Sequence, residues 1–296
     1  MERKIRSIYR EANKDLTKKA KEYFEQFEKI DTQKRKMVEA GKLSRKDYKE
    51  WRKNKMFMGK HWTTMKDQTA RSIYNANKIA NEYINDRLPN IYTINYNGEA
   101  ELAEAGLNGK FSFEMANQQT IKELIDAGNK NLLPVKKLDP KKDIPWNMQK
   151  VNSAVLQGVI QGESIPKIAA RISTVVAANK VQSIRAARTI VTQVENKAVQ
   201  DVAERADENG AIVYKVWIAT HDGRTREWHL AAERDYGTEE TAIPWDEPFE
   251  VMGEHMMRPG IGGSGANVYN CRCASKNIYK GFKRTLPEGT IKVRWL

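Results

Sequence analysis

Cys271 and Cys273 are the only two cysteines in a chain of 296 residues, and they stand together in the run Asn270-Cys271-Arg272-Cys273. Upstream lies Trp217-Ile218-Ala219-Thr220-His221-Asp222-Gly223-Arg224-Thr225-Arg226-Glu227-Trp228-His229. Of the four histidines, three (His221, His229 and His255) fall with both cysteines between residues 221 and 273. Two thiolates with one or two imidazoles make a tetrahedral donor set suited to a structural zinc, and His229, Cys271 and Cys273 with His221 or His255 would supply it. The spacing argues the other way. Zinc motifs usually place two to four residues between paired cysteines, and one residue puts both side chains on the same face of a strand at an awkward bite. The alternative is a pair of buried thiols behaving as small hydrophobes, with His229 bonded to a backbone carbonyl. A Cys271–Cys273 disulfide would close a strained ring and is disfavoured.

Asp222, Arg224 and Arg226 beside His229 offer a second chemistry: an acid, a base and guanidinium groups to stabilise an oxyanion. Asp222-Gly223 directly after a strand is equally a turn signal, and Glu227, Glu233 and Asp246 are at hand as partners for the arginines. We read these residues as a structural network fixing the loop between the strand and the Cys-Arg-Cys segment, and assign no catalytic residue. The chain carries no Gly-rich phosphate loop, no His-Glu-x-x-His and no nucleophile elbow.

The elements that must position this cluster follow from periodicity. Ile5, Ile8, Ala12, Leu16, Ala20, Tyr23, Phe27 and Ile30 form one stripe of a long helix, ended at Gly41. Ser44 and Asp47 read as a capping-box variant opening a second helix, which is expected to run to about Arg87 and stop at Leu88-Pro89. Together they predict a helical hairpin. Residues 91–113 read as a short strand or extended segment with turns at its glycines. Asn117 to Ala127 reads as a short helix closed by Gly128, and residues 129–145 as a linker. Helical patterns resume at Trp146, divided at Gly162 to Pro166 with Ser164 as N-cap, and again near Ala178, before a last helix to about Asn209. Ala211 to Ala219 alternates as a strand, with further strands at 248–251 and 274–278. The expected fold is α+β and mostly helical: a long N-terminal helical hairpin, then a helix-rich module with a small β-sheet at the C-terminus. The expected divisions are a basic helical arm (1–88), a mixed segment and linker (89–145), a module (146–280) and a tail (281–296).

Charge is concentrated at one end. The chain carries a net +13, and residues 1–66 alone hold 21 Lys and Arg against 10 Asp and Glu. Trp51, Arg52, Lys53, Lys55, Phe57, Lys60 and Trp62 interleave apolar and cationic side chains, which suits a protein interface first and phosphate contact next. An ordinary hairpin with a solvated charged face is the plainer alternative. No apolar run is long enough to span a membrane, and the N-terminus lacks the core of a signal peptide. Two cysteines one residue apart cannot build a disulfide framework, which fits a reducing cytoplasm.

Trp217, Asp222, Arg224, Arg226 and His229, then Gly253-Glu254, Pro259-Gly260 and Asn270-Cys271-Arg272-Cys273, resemble the motif of the phage minor head protein family, the phage Mu F-like head morphogenesis proteins. The preceding segment Ala187 to Asn196 resembles that family's Ala-rich helix, with Gln193-Val194-Glu195 where the family usually carries Arg-Thr-Glu. The resemblance covers residues 150–278. It implies a non-enzymatic minor head (minor capsid) protein of the virion, in the head interior or at the portal vertex, assembled in the host cytoplasm. The implied partners are the portal protein or major capsid protein, and packaged double-stranded DNA. It also implies that the motif specifies the fold.

Overall fold

Residues 2–40 contain neither glycine nor proline, and they form one uninterrupted helix, α1 (Glu2–Glu39). The computed structural model describes residues 1–58, 60–108, 113–118, 121–122, 138–161, 163 and 165–283, less a few helical side chains. Most of the expected helix at Asn117 to Ala127, the Ser164 cap, most of the expected linker and most of the tail lie outside them. The chain divides into two compact units, residues 1–83 with 136–184 and residues 84–135 with 185–296. Among the described residues no helix is long and apolar enough to cross a membrane.

In the first unit, α1 buries Ile5, Ile8, Leu16, Ala20 and Phe27 as its spacing predicts, but Ile30 is 42% exposed. The buried stripe continues instead, four residues after Phe27, at Asp31. A repeat of 3.5 drifts against a helix of 3.6 residues per turn, so the last apolar residue slides off the face. Asp31 accepts hydrogen bonds from the Tyr48 hydroxyl at 2.8 Å and faces Arg35 at 2.8 Å and Arg52 at 3.4 Å. The chain turns at Gly41, in a left-handed conformation (φ +70°). It then enters α2 (Arg45–Met58), where Ser44 Oγ accepts the Asp47 N–H at 3.0 Å and donates to its carboxylate at 2.7 Å. The expected second helix is helical over α2 and again over α3 (Lys60–Asn85), and residue 59 between them lies outside the described residues. Across the unit, the Tyr9 hydroxyl bonds Asn77 at 2.5 Å and Ser183 at 2.6 Å, and Asn77 donates to Asn179 at 2.9 Å.

The expected strand at 91–96 is instead the helix α4 (Leu88–Gly106). The previous helix ends at Asn85, close to the expected stop, and Pro89 sits in the first turn of α4, where the missing N–H has no partner to lose. Tyr92 and Tyr96 stack one turn apart at 5.9 Å, and their hydroxyls bond Asp201 and Arg205 at 2.6 and 2.8 Å. These tertiary bonds outweigh the strand preference of the local Ile, Tyr and Thr residues. The end of the expected linker is helical too. Helix α5 (Pro140–Ile160) starts with Pro140, and Asp139 and Asp143 cap it reciprocally. The expected break near Ala178 is absent. Helix α6 runs unbroken over Ile165–Glu208, a stretch free of glycine and of any proline past its first turn, with Asn179 bonded back to the Val175 carbonyl at 2.9 Å.

In the second unit β1 (Ala211–Ile218) is the centre of a three-stranded antiparallel sheet of order β2-β1-β5, with β2 (Ile243–Pro244) and β5 (Ala274–Phe282) at its sides. Trp217 pairs with Ser275, and Val213 with Tyr279. Helix α7 (Glu227–Tyr236) follows β1. A hairpin of β3 (Phe249–Val251) and β4 (Glu254–Met256) turns through Met252 and Gly253, both at positive φ, the pattern of a tight primed turn. A short helix, α8 (Gly265–Val268), leads to the cysteines. The α+β, mostly helical class read from the sequence describes this structure.

Candidate functional site

Alternation along β1 turns Val213, Lys215, Trp217 and Ala219 inward, and Trp217 becomes the largest fully buried side chain among the described residues. Its ring meets His229 and Phe249 edge to face at 5.4 and 5.3 Å. His229 reaches it because α7 starts two residues earlier and points its first turn at the sheet; the imidazole is 1% exposed. Cys271 and Cys273 complete this apolar cluster with Val251, Met256 and Val268. His229 Nδ1 lies 3.3 Å from the Cys273 sulfur and 3.7 Å from that of Cys271, and all three donor atoms lie within 4.8 Å of one another. The thiols are not equivalent. The bond shared with Cys273 holds Cys271 down at about 7, and the same bond, with burial, pushes Cys273 up.

The far side of the imidazole is held by Asn267, which is fully buried. Its amide nitrogen donates to the Val251 carbonyl at 3.2 Å and to Glu254 at 2.6 Å. Its oxygen takes the Trp228 indole N–H at 2.7 Å and lies 3.3 Å from His229 Nε2. Glu254 also accepts the Ser264 N–H at 2.8 Å, and these donors hold its carboxyl below the usual range.

The polar motif residues occupy the loop between β1 and α7. Asp222 accepts a fork from Arg272, one arm at 2.9 Å, together with the Arg224 N–H at 2.9 Å. The Arg272 guanidinium, then that N–H, hold its carboxyl far below the usual carboxylate range. Arg226 donates to the Tyr269 carbonyl at 2.5 Å, and Thr220 to the Arg272 carbonyl at 2.7 Å. Glu233 accepts the Ala219 N–H at 2.9 Å and faces His221 at 2.6 Å. The expected arginine partners are thus replaced: Arg224 and Arg272 meet Asp222, and Arg226 meets a carbonyl. His221 is committed to Glu233 and His255 is exposed, so neither stands with the two cysteines.

Residues 149–276 match the family model described as phage Mu protein F like protein. This segment belongs to that family. Over 138 residues the chain is also 30% identical to the NAD(+)-arginine ADP-ribosyltransferase EFV of Enterococcus faecalis, a match covering 47% of this chain and 27% of that protein. The chain therefore spans about a quarter of that relative's length. No solved structure matches.

Within the Mu F-like segment, one face of α6 does work that its sequence did not announce. Thr189, Thr192, Gln193 and Asn196 lie at helical spacing among Ala, Ile and Val. Thr189 accepts the Asn270 N–H at 3.1 Å, and Thr192 donates to the Cys271 carbonyl at 2.6 Å. Asn196 donates to the Cys273 carbonyl at 3.1 Å and accepts the Ser275 N–H at 2.6 Å. Gln193 donates to the Gly260 carbonyl at 2.8 Å. Gly260 has φ +89°, and a Cβ there would stand 3.3 Å from the Thr192 and Gln193 side chains, so only glycine passes this close to the helix. The signal in the sequence was a polar row on an otherwise apolar helix. Lys215 was also missed. It is buried on the inward face of β1, donates to the Met257 carbonyl at 2.7 Å, and burial lowers it to about 8.

Of the candidate partner-contact residues, Trp51 stacks on Phe27 at 5.6 Å with Lys34 over its ring, and Arg52 faces the buried Asp31. Lys55 is exposed. The side chains of Lys53, Phe57, Lys60 and Trp62 lie outside the described residues.

Proposed function

We propose that the chain is a structural minor head protein of a tailed phage or prophage, docking on the portal or the capsid during head assembly and DNA passage. In this reading the Asp-Arg-Arg-His and Asn-Cys-Arg-Cys elements specify the fold of the Mu F-like segment, and the N-terminal helices supply the adaptable partner surface. The observation that carries it is the commitment of the motif. Asp222 is held by Arg272, Arg226 by a carbonyl, and His229 is 1% exposed with both ring nitrogens engaged. A general base must reach a substrate proton, and a guanidinium must face developing charge; each of these groups is engaged by another part of the protein. The transferase activity named for the Enterococcus faecalis relative belongs to a protein of which this chain matches 27%, and the motif's closure supports no such turnover here. The protein would reside in the virion, in the head interior or at the portal vertex, after assembly in the host cytoplasm. Cryo-electron microscopy of heads or portals carrying the chain tests this. Density for residues 1–88 against portal or capsid subunits is the expected result, and a portal-free chain that turns over NAD(+) is the opposite one.

A second reading, sequence-blind contact with packaged double-stranded DNA, draws on charge. Residues 1–66 carry most of the net positive charge, and a cleft of about 280 Å³ is lined by Arg6, Arg10 and Lys180 beside Tyr9 and Asn13. DNA affinity falling steeply with salt, and lost on deleting residues 1–66, would support it.

A further inference from the structure

The network around Asn267 determines which nitrogen of His229 carries its proton, and that has a chemical consequence. An indole N–H can only donate, so the Asn267 atom 2.7 Å from Trp228 Nε1 is the oxygen. The amide nitrogen agrees, since it donates to the Val251 carbonyl and the Glu254 carboxylate, both pure acceptors. The oxygen therefore accepts from His229 Nε2, 3.3 Å away, and the proton of the neutral ring sits on Nε2. Nδ1 is left with a lone pair aimed at two sulfur atoms, at 3.3 and 3.7 Å.

Three donors converge here, and their spacing suits one ion. Zinc bonds of roughly 2.0–2.1 Å to nitrogen and 2.3 Å to sulfur at a tetrahedral angle separate a nitrogen and a sulfur by about 3.5 Å, midway between the two observed distances. The cysteines reach this geometry although only one residue separates them, because they do not lie in a regular strand. They occupy the irregular chain just before β5, held by Thr192 and Asn196 at their carbonyls. The bite objection raised by the sequence applies to a flat strand, which this segment is not.

Charge balance permits burial. A divalent ion with two thiolates and a neutral imidazole is formally neutral, so it can sit among donors that are 1–3% exposed without an uncompensated charge. The Asn267 bond to Nε2 is the outer contact that a metal-bound histidine characteristically makes.

We propose that His229 Nδ1, Cys271 Sγ and Cys273 Sγ bind one zinc ion, with a water molecule as fourth ligand, as a structural centre that ties α7 to the chain entering β5. Binding exchanges the two thiol protons for the ion: Zn²⁺ and two S–H groups give two zinc–sulfur bonds and two protons released to solvent. No redox step is involved. Among the described residues no fourth His, Cys, Asp or Glu joins the three, which is why the fourth position goes to water.

The test is metal content of the full chain purified without chelator, followed by cobalt titration of the chelator-treated chain. The expected result is about one zinc per chain, and a cobalt complex with thiolate charge-transfer absorption and the intense visible bands of a tetrahedral ion. Cys271→Ser, Cys273→Ser and His229→Gln should each lower zinc affinity at least about tenfold, while His255→Ala keeps full occupancy. Should the cysteine variants fail to fold, the cobalt spectrum of the unsubstituted chain decides alone. Folded, unsubstituted chain holding less than about a tenth of an equivalent of zinc, with no thiolate–cobalt band, overturns the proposal. So does zinc retained by a folded Cys271→Ser/Cys273→Ser double variant.

Discussion

The two units solve different problems with their polar side chains. In the first, the bonds that reach across elements run from side chain to side chain: Tyr9 to Asn77 and Ser183, Asn77 to Asn179, and Asp31 to Tyr48 and Arg52. The helices they join have already satisfied their own backbones, so these bonds only set which faces meet. In the Mu F-like part of the second unit the side chains reach for backbone. Thr192, Asn196, Gln193, Thr220, Arg226 and Lys215 each donate to a main-chain carbonyl in another segment. Irregular chain cannot pair its own carbonyls and amides, and buried ones left alone are costly. A fold that places its site on loops must therefore spend side chains on holding the loops. A motif rich in Asp, Arg, Asn and Thr resembles catalytic machinery for that reason.

The contrast can be broken at several points. Trp217→Ala removes the fully buried ring that His229 and Phe249 abut, and should cost about 3–5 kcal/mol, read as a lowered urea midpoint for the second unit. Asn196→Ala strips partners from the Cys273 carbonyl and the Ser275 amide together and should cost about 2–4 kcal/mol. Hydrogen exchange would then rise at residues 271–275, with α6 itself staying protected. A similar loss without local exchange at those residues would remove the distinction between clamps and packing. Asp31→Ala leaves Tyr48 and Arg52 without their shared acceptor and should cost about 2–3 kcal/mol. Here exchange should rise across α1 and α2 as whole helices, since no irregular backbone depends on the carboxylate.

Glu99 sharpens the comparison by pH. Burial pushes it up to about 7, and it accepts the Tyr279 hydroxyl at 2.9 Å, with Asn277 and Lys276 also nearby. A carboxyl raised in the folded state binds its proton more tightly there than when unfolded. Its stabilising contribution is thus complete below about pH 4.5 and lost as pH rises through about 7. Glu99→Gln, which keeps the acceptor oxygen, should flatten the fall in thermal midpoint across that window; an unchanged slope would mean that another group causes it. Smallest of all, Lys19→Ala deletes an exposed pair with Asp15, one turn apart at 2.7 Å, and should change stability by less than about 0.5 kcal/mol.

What could be read from the sequence divides along the same line. The stripe of α1, the Gly41 turn, the Ser44 cap and the alternation of β1 were legible because each is a local pattern with a local cause. The helix α4 was not, because Ile, Tyr and Thr favour strands and the deciding bonds to Asp201 and Arg205 come from about a hundred residues away. The unbroken α6 was misjudged at Asn179, a polar residue whose side chain bonds back within the helix. At the site, the types and clustering of Trp217, Asp222, His229, Cys271 and Cys273 were visible, but their partners were not. Asn267, which orients His229, is a single asparagine in the short helix α8, and nothing near it in sequence marks it.

The central claim is that the motif holds backbone in place for docking and performs no turnover. Its most direct test is the incorporation of Asp222→Asn into heads assembled with portal and capsid subunits, scored as copies per head alongside infectivity. The substitution keeps the shape and removes the charge that grips Arg272. The account predicts that incorporation and infectivity fall together, with hydrogen exchange rising at residues 220–226 and 270–273. Full incorporation with lost infectivity and an undisturbed loop would contradict it, because Asp222 would then be needed for chemistry rather than for the fold.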